Sequence, residues 1–496
     1  MPAYYLEIIV VVLGLTVLMV ETFVPLRDKR SLGWLAILGL LVVLVLNFTA
    51  TGSGGGDTPF WKFYADDALA QWFKGIALLT TIFVILMSVD FSKVLSQGIA
   101  PDGDEKADGI GKQVALGEFF ALPIFICAGL MWMASAQHLV SIFVALETVT
   151  IGFYVMVAFM RRNVGSLEAG VKYLILGALS TGFLVYGFAW LFGVTGSMEL
   201  PAIAEALNSP DLHRTGALFA FALILIALCF KIGAVPFQLW IPDVYQGAPM
   251  PVTAFLSVGS KAAGFVILLR LLEPFMGSAA LNEKVVLVLV IIAGATIIYG
   301  NLAALSQTNF KRLLAYSSVS HAGFLLMAVA SAPSHAVAVT PVDAVAYYLA
   351  AYLLMTMLAF LIMNLVRVQR GGETLDDYKG LAKTSPLLAF AMLVAMASLA
   401  GVPLTAGFVG KFWVFVLALQ AGHYYLVTAA VVGAAAGFYY YLKIVKAMYW
   451  DAPAEAGSAA ATSIVVIWPV RVAIILLVVA IFYFGVNPKV LLGLFS

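Results

Sequence analysis

Charged residues are scarce in this chain of 496 residues. Aspartate, glutamate, lysine and arginine make up 11% of it, whereas 63% of the residues are hydrophobic and the mean hydropathy is +1.03. A soluble domain carries about 25% charged residues, so the composition excludes an ordinary soluble protein. We expect a lipid bilayer around the chain and no nucleic-acid partner.

Cysteine and cofactor-binding motifs are nearly absent. Cys127 and Cys229 lie far apart in separate apolar runs, which excludes a disulfide framework and metal-ligand spacing. The sequence has no glycine-rich phosphate loop followed by a helix and no haem-attachment motif. Its first residues, MPAYYLEIIVVVLGLTVLMVE, lack a basic lead-in and a small-residue cleavage site, so they predict a retained first helix. We expect no redox centre in this chain.

Long apolar runs dominate the sequence, and each is about the length of a helix that crosses a bilayer. The runs are continuous rather than alternating with period two, which favours helices over a barrel. We predict an all-α polytopic membrane protein with about fourteen transmembrane helices. The runs lie at about 4–25, 33–48, 73–90, 118–134, 138–160, 170–194, 216–247, 251–272, 285–304, 313–331, 341–366, 386–421, 424–447 and 466–487.

Lysine and arginine are concentrated in alternate loops. The odd-numbered loops and their flanks hold seventeen of them, among them Arg27, Lys106 and Lys112. The even-numbered loops hold five, and the C-terminal tail holds Lys489. By the positive-inside rule the odd-numbered loops face the cytoplasm, so both termini are predicted to lie outside. The five cations of the even-numbered loops are Lys62, Lys74, Arg214, Arg270 and Lys284.

Four ionisable side chains remain near the middle of apolar runs: Glu147, Lys231, Lys261 and Lys411. Each costs at least about 2.5 kcal/mol at mid-bilayer. A structural ion pair would account for Glu147 and one lysine, but it would leave two lysines unexplained. A proton path accounts for all four, because burial brings the pKa of a lysine towards neutrality and a neighbouring carboxylate raises it again. We favour the proton path.

Runs seven and twelve are predicted to be broken inside the membrane. Glycine and proline interrupt both, and such breaks persist only where protein or water satisfies the freed backbone groups. Broken helices beside a charged site at the midplane are typical of transporters built from repeats. The interrupting residues are Gly233, Pro236 and Pro242 in run seven, and Gly401, Pro403, Gly407 and Gly410 in run twelve.

Runs four to eight and nine to thirteen form two units of five, with the broken helix fourth in each. Because five is odd, the second unit must enter from the opposite side, so we predict an inverted repeat. The second helix of the first unit carries Glu147, and that of the second unit carries His321. A histidine at this place is a candidate to connect two halves of a proton route, although an ordinary interior role is the alternative. The predicted regions are an N-terminal three-helix region at 1–112, two five-helix repeats at 113–272 and 273–450, each a proton half-channel, and a C-terminal helix at 451–496.

Two stretches carry a family resemblance: FKIGAVPFQLWIPDVYQGAPMPVTAFLSVGSKAAGF at 230–265 and NLAALSQTNFKRLLAYSSVSHAGF at 301–324. They resemble the antiporter-like membrane subunits of respiratory complex I, and most of all the subunit N type of NADH:quinone oxidoreductase, the counterpart of mitochondrial subunit 2. The resemblance covers runs four to thirteen well and the remaining runs loosely. It implies a fourteen-helix subunit that translocates protons. We expect this subunit in the bacterial inner membrane, with both termini on the periplasmic side as the distribution of cations predicts.

The resemblance also implies cofactors and partners. NADH, FMN, iron–sulfur clusters and quinone are expected in partner subunits, with none in this chain. The expected partners are a neighbouring antiporter-like subunit, small membrane subunits and the peripheral redox arm. Residue by residue, the resemblance implies a proton relay of Glu147, Lys231, Lys261, His321, Lys411 and Lys172.

Within that relay, Glu147 and Lys231 match the family's ion pair, and Lys261 matches the lysine that links two half-channels. His321 matches a residue of the central axis, and Lys411 the terminal lysine of the second half-channel. Lys172 matches a lysine at the start of helix six, where a simple topology anchor is the alternative. Two other functions stay open: a subunit of a multi-subunit cation/proton antiporter, and a membrane scaffold whose charges only hold helices together.

Overall fold

The structure is a computed structural model, and it describes residues 2–24, 28–49, 59–99, 116–331, 339–451 and 463–492. The cations Arg27, Lys106 and Lys112 and the predicted boundary between residues 112 and 113 lie outside these ranges.

The described residues form α-helices, short helical turns of other types and no β-strand. Turns lie at Pro59–Lys62, Leu256–Ser260 and Leu375–Tyr378. The helices are α1 Tyr4–Phe23, α2 Arg30–Thr49, α3 Ala68–Ile99, α4 Leu116–Ser135, α5 Leu139–Val157, α6 Val164–Thr195, α7 Leu200–Leu207, α8 Arg214–Ile232, α9 Trp240–Gly247, α10 Met250–Phe255, α11 Lys261–Met276, α12 Asn282–Leu305, α13 Phe310–Ala330, α14 Pro341–Arg370, α15 Leu381–Thr384, α16 Pro386–Ala400, α17 Ala406–Gln420, α18 Tyr424–Tyr449, α19 Trp468–Val486 and α20 Lys489–Leu492.

Across the described ranges, thirteen stretches are long and apolar enough to cross a membrane. They are α1 to α6, α8, the continuous stretch Met250–Met276, α12 to α14, α18 and α19. The two shorter apolar helices α16 and α17 together occupy the predicted run twelve. The prediction of an all-α membrane protein with about fourteen spanning segments is therefore confirmed.

Both predicted helix breaks are present. Helix α8 ends at Ile232 and α9 begins at Trp240, whereas α16 ends at Ala400 and α17 begins at Ala406. The residue after each first helix is a glycine in the left-handed region, Gly233 with φ of 79° and Gly401 with φ of 90°. Residues with a β-carbon adopt this region only at a cost of about 1–2 kcal/mol, so the two glycines place the breaks.

Side chains next to the helices fix where several of them begin. Asn163 and Asn309 precede α6 and α13, and each side chain accepts a hydrogen bond from a backbone N–H of the first turn. Helix α14 begins with a capping box in which Thr340 and Asp343 bond to each other's backbone. Such caps satisfy N–H groups that have no partner inside the helix.

The chain divides into two compact units. Unit 1 consists of Met1–Ile232 and Gly247–Val285, and unit 2 of Gly233–Gln246 and Val286–Ser496. The residues between α8 and α9, with most of α9, therefore belong to unit 2, although the chain on both sides of them belongs to unit 1.

In unit 1, α1 packs on α2 and α4, and these two helices also pack on α3. Helix α5 lies between α4 and α6, α6 packs along α8, and α11 contacts α3, α4, α7 and α8. In unit 2, α14 is the central helix and packs against α13, α16, α17 and α19. Helices α13 and α14 are almost wholly buried, as is the stretch Met250–Met276 of unit 1. These enclosed helices carry two of the candidate site residues, Lys261 and His321.

Candidate functional site

Lys231 lies in the last turn of α8, and only 5% of its surface is exposed. Its Nζ donates a hydrogen bond of 2.8 Å to Oγ1 of Thr150 on α5. The Thr150 hydroxyl donates its own proton to the Leu146 carbonyl at 2.6 Å, so its oxygen is free to accept. This threonine therefore gives the buried ammonium a polar partner inside unit 1.

Glu147 lies on α5 one turn before Thr150, and its side chain is half-buried. Its Oε1 accepts a hydrogen bond of 2.7 Å from Oγ1 of Thr181 on α6. The resemblance implies a direct pair between Glu147 and Lys231, but in this structure each of them bonds to a threonine instead. Glu147 on α5 and Lys231 on α8 are thus close enough to interact electrostatically, but they bond to two different threonines rather than to each other.

Lys261 is 2% exposed and begins α11 directly after the π-helical turn Leu256–Ser260. Single π-turns inside α-helices occur frequently at functional sites. One turn after Lys261, a β-carbon on Gly264 would lie 2.9 Å from Cγ2 of Ile232 and 3.4 Å from Cγ of Lys231. The glycine thus allows α11 to approach α8 at Lys231, and it brings the two lysines into one region of unit 1.

Lys172 lies elsewhere in unit 1. It is on α6, its side chain is 43% exposed, and its Nζ pairs with Oε1 of Glu168 at 2.6 Å. An exposed pair of this spacing on one helix is worth about 0.3–0.5 kcal/mol. The structure therefore places Lys172 at the surface of the unit, whereas Lys231 and Lys261 are buried and Glu147 is half-buried.

His321 lies in the middle of α13 and joins two tyrosines of unit 2. Its Nδ1 is 2.7 Å from the hydroxyl of Tyr348 on α14, and its Nε2 is 3.2 Å from the hydroxyl of Tyr441 on α18. The Tyr441 hydroxyl also bonds to Ser317, one turn before the histidine. Which ring nitrogen donates depends on the tautomer, and a neutral imidazole donates from one and accepts at the other. Either tautomer gives a continuous hydrogen-bonded chain across the ring.

A second polar group lies beside this chain in unit 2. The hydroxyl of Tyr440 donates to Oδ1 of Asn301 at 3.0 Å, and Nδ2 of Asn301 donates to Oγ of Ser320 at 2.7 Å. Ser320 directly precedes His321, and both residues are buried. Tyr348, Tyr441 and Asn301 were not found from the sequence. A polar side chain inside an apolar run was the available signal, since such side chains are costly in a bilayer.

Lys411 lies on α17 and is 7% exposed. Its Nζ donates to the carbonyls of Leu399 at 2.9 Å and Ala400 at 3.0 Å, which are the last two residues of α16. Carbonyls at a helix C-terminus lack intrahelical donors and carry the negative end of the helix dipole. The ammonium also lies 5.2 Å from the ring centre of Phe324, at a distance that suits a cation–π contact.

Gly401 completes this arrangement. A β-carbon there would lie 3.1 Å from Cδ of Lys411, which is tighter than most such contacts in proteins. The glycine thus ends α16 and leaves room for the lysine that bonds to the end of the helix. Phe324, which contacts Lys411, lies one turn after His321, so unit 2 brings Lys411 and His321 to the same region.

Sequence reasoning missed the burial of two lysines, Lys74 and Lys311. Lys74 was assigned to the flank of an even-numbered loop, but it lies inside α3, is 1% exposed and pairs with Glu7 at 2.9 Å. Lys311, one of the seventeen cations predicted for the odd-numbered loops and their flanks, is buried in the first turn of α13. Its Nζ is 3.1 Å from Glu373 and 3.0 Å from the carbonyl of Gln246. A charged residue near the end of an apolar run looks like a loop residue, so hydropathy alone could not place these lysines.

In the part of the chain that the structure describes, no group of three or more histidine, cysteine, aspartate or glutamate side chains is arranged to hold a metal ion.

Comparisons with known proteins agree with one another. The family model described as NADH:quinone oxidoreductase/Mrp antiporter, transmembrane, matches residues 136–437. The chain is 38% identical to NADH-quinone oxidoreductase subunit N of Trichlorobacter lovleyi, covering 90% of this chain and 86% of that protein. It is 40% identical to subunit N 1 of Opitutus terrae, covering 91% and 88%.

One solved structure extends these similarities to three dimensions. A chain of respiratory complex I from Thermus thermophilus with bound aureothin is similar over 98% of both chains, with a TM-score of 0.77 and 31% identity. Sequence and fold therefore point to the same group of proteins.

Proposed function

Because the chain belongs to the subunit N family of NADH-quinone oxidoreductases, within the broader NADH:quinone oxidoreductase/Mrp antiporter family, we propose that its buried lysines and histidine carry protons across the membrane. The energy would come from electron transfer between NADH and quinone in partner subunits. The proposed relay consists of Glu147, Lys231, Lys261, His321 and Lys411, with Lys172 at the surface.

The observation that carries this proposal is the hydrogen bonding of the Lys411 ammonium. It has three N–H groups, and two carbonyls accept from it. If the third proton leaves, the amine still has two N–H groups for the same two carbonyls. Lys411 can therefore release a proton without leaving either carbonyl unsatisfied, which would cost about 1–3 kcal/mol.

Lys231 in unit 1 can also release a proton and keep its hydrogen bond. Its single bond to Thr150 needs one N–H and would survive the loss of a proton. In unit 2, His321 can accept a proton at one ring nitrogen and release another from the opposite nitrogen, with Tyr348 and Tyr441 at the two positions.

The energy required is within reach of small rearrangements. Moving one charge across 100 mV needs about 2.3 kcal/mol, which corresponds to a change of less than two units in the pKa of a carrying group, at about 1.36 kcal/mol per unit. Bringing Glu147 into direct contact with Lys231, or moving it away, would change the local field on that lysine. Quinone chemistry is proposed to drive this change from elsewhere in the complex.

Two Lys411 variants test the proposal. Lys411→Met keeps the volume but removes the proton, and Lys411→Arg keeps a charge that cannot be released in a protein. Both are expected to assemble and to lose proton pumping in reconstituted vesicles that oxidise NADH with quinone, and Lys231→Ala is expected to do the same. Pumping at the wild-type level in an assembled Lys231→Ala or Lys411→Met complex would contradict the relay.

The proposed partners are the other membrane subunits and the peripheral redox arm, and the proposed location is the bacterial inner membrane with both termini on the periplasmic side. Gentle solubilisation of native membranes, followed by identification of co-purifying chains by mass, tests this. We expect iron–sulfur and flavin subunits that oxidise NADH with quinone. Recovery with small membrane proteins alone, together with sodium-dependent proton flux, would instead indicate a cation/proton antiporter.

A further inference from the structure

Three ionisable side chains outside the relay meet inside unit 1. Glu7 lies on α1, Tyr64 on the segment between α2 and α3, and Lys74 on α3. All three are buried, and Tyr64 and Lys74 are each only 1% exposed. None of them lies within residues 136–437, which the family model matches. We call Glu7, Tyr64 and Lys74 the Glu7 cluster.

The cluster is a closed ring of hydrogen bonds. Nζ of Lys74 donates to Oε1 of Glu7 at 2.9 Å and also to the hydroxyl of Tyr64. The Tyr64 hydroxyl in turn donates to Oε1 and Oε2 of Glu7 at 3.1 and 3.3 Å. Burial, reinforced by the Glu7 carboxylate, raises the pKa of Tyr64 well above its ordinary value, so the phenol stays protonated as a donor.

The packing of α1 and α3 does not depend on the ion pair of Glu7 and Lys74 alone. Helices α1 and α3 each pack on both α2 and α4, so the ion pair is not the only contact that positions them. Replacing a buried ion pair by apolar side chains of similar volume is often neutral or stabilising. Close by, Oδ2 of Asp66 is buried and has no hydrogen-bond partner among the described residues. This carboxylate oxygen, two residues from Tyr64, could accept a hydrogen bond from a water molecule or take up a proton.

We propose that Glu7, Tyr64 and Lys74 form an additional proton-exchange site of unit 1, and this inference rests on the proposed function. In the exchange, the Lys74 ammonium gives a proton to the Tyr64 oxygen while the Tyr64 hydroxyl gives its proton to Glu7. Ammonium, phenol and carboxylate become amine, phenol and carboxylic acid. The net charge of the ring stays at zero, and no other reactant is needed.

Helix α3 supplies polar groups for a route to this site. Thr81, Ser88 and Ser92 are buried and follow Lys74 at 7, 14 and 18 residues, which places them on one face of the helix. Eighteen residues span about 27 Å, close to the roughly 30 Å of a bilayer core. At the far end, Ser92 accepts a hydrogen bond of 3.0 Å from Nε of Arg30. The hydroxyls of this face donate to backbone carbonyls, so their oxygens remain able to accept from water.

The intact complex tests the inference through Tyr64→Phe, which removes one hydroxyl and keeps the ring. The matched control is Tyr4→Phe, a tyrosine of the same aromatic group whose ring lies 6.3 Å from that of Tyr64 but outside the hydrogen-bonded ring. Protons pumped per NADH oxidised are measured in reconstituted vesicles. We expect a loss in Tyr64→Phe and in the double variant Glu7→Gln with Lys74→Met, and no change in Tyr4→Phe.

Other outcomes separate the possible explanations. If the double variant assembles and pumps as many protons per NADH as the wild type, the cluster only holds helices together and the inference is wrong. Loss in Lys411→Met with no loss in Tyr64→Phe would overturn this inference and leave the proposed function standing. Wild-type pumping in Lys411→Met as well would contradict both.

An infrared measurement covers the case in which a variant assembles poorly. The difference spectrum of the wild-type complex during turnover should contain the carbonyl band of a protonated carboxylic acid. Isotope labelling, or loss of this band in Glu7→Gln, assigns the band to Glu7. The band should be retained in the comparison variant Glu147→Gln. If no band belongs to Glu7, its carboxylate does not take up a proton and the inference is wrong.

Discussion

The side chain of Lys411 lies where α16 stops, and this position gives a buried ammonium two acceptors without any carboxylate. An uninterrupted helix would have used the carbonyls of Leu399 and Ala400 in its own hydrogen bonds. Because α16 ends at Ala400, these oxygens remain available to the lysine. The end of α16 and Lys411 therefore stabilise each other. This explains how an ammonium can lie within the apolar stretch AGFVGKFWVFVLAL at 406–419.

At Thr150, we expect the substitution Thr150→Val to weaken unit 1 and to depress proton pumping. The substitution keeps the shape but removes the acceptor of the buried Lys231 ammonium. Hydrogen bonds to charged groups contribute about 1.5–3 kcal/mol, so a loss of stability of this size is expected. Thermal melting and proton pumping of the assembled complex measure it.

Thr148→Val is the matched control for Thr150. Thr148 is exposed on the same helix, and its hydroxyl only bonds to the carbonyl of Val144. We expect stability and pumping close to wild type. Equal losses in both variants would mean that the α5 threonines act through the helix itself rather than through Lys231.

His138 is expected to make the start of α5 sensitive to pH. Its Nδ1 accepts a hydrogen bond of 3.1 Å from the N–H of Val140 and so caps the helix. Burial lowers the pKa of His138, an effect that Lys62 adds to and Glu199 opposes. Since the folded state favours the neutral ring, its stabilisation is present above the ordinary pKa of about 6.5 and is lost as the pH falls towards the lowered value.

Hydrogen exchange of the amides in the first turns of α5 checks this prediction. After correction for intrinsic rates, protection should weaken when the pH falls through about 6.5, the ordinary pKa of histidine. In His138→Asn, a neutral capping residue, protection should not depend on pH in this range. The same pH dependence in the asparagine variant would show that another group is responsible.

At the scale of elements, the sequence predicted the breaks well and the ends of the helices less well. Glycine and proline marked the breaks because their effect is local: a positive φ after Ile232 and Ala400 needs no information from elsewhere in the chain. Helix α3, in contrast, was predicted over 73–90 and extends over Ala68–Ile99. Lys74 looked like a helix end because its partner, Glu7, is 67 residues away in the sequence.

The second break offers a paired test of backbone conformation. Gly401 and Leu404 both have positive φ, 90° and 72°. Gly401→Ala forces a β-carbon into this conformation and against Lys411, so we expect a loss of at least about 1–2 kcal/mol and weaker pumping. Leu404→Gly relieves the same conformational cost, and its stability should be equal or higher. Thermal melting of the complex measures the stability of both variants. An unchanged melting temperature in Gly401→Ala would show that the break adapts to a side chain.

At the scale of the whole molecule, the sequence could not predict which distant residues would meet. Apolar runs, the repeat and the family resemblance all pointed to His321 and Lys411, but nothing in the sequence indicated that Tyr348 and Tyr441 would bond to the two sides of the histidine ring. Nor did hydropathy indicate that Gly233–Gln246 belongs to unit 2. Such pairings depend on three-dimensional packing between helices that are far apart in the chain, and the periodicity of single segments carries no information about it.

The contacts of Gly233–Gln246 predict how fragments of the chain will behave. Within unit 2, the N–H of Val235 donates to Thr296 at 3.0 Å, and Asp243 pairs with Arg312 at 2.8 Å. A fragment of residues 1–285 lacks these partners, so its segment 233–246 should be cut readily by protease. Co-expression with a fragment of residues 286–496 should restore protection. Protection in the first fragment alone would show that unit 1 can hold this segment by itself.

The same contacts set an order of events during synthesis. A ribosome adds about 5–20 residues per second, so the segment after α8 leaves it several seconds before Thr296 and Arg312 exist. During that interval the interrupted backbone has no acceptor or donor from unit 2, and lipid offers none. We therefore expect membrane insertion of this segment to be completed only after α12 and α13 emerge, and the insertion machinery to hold the segment away from lipid until then.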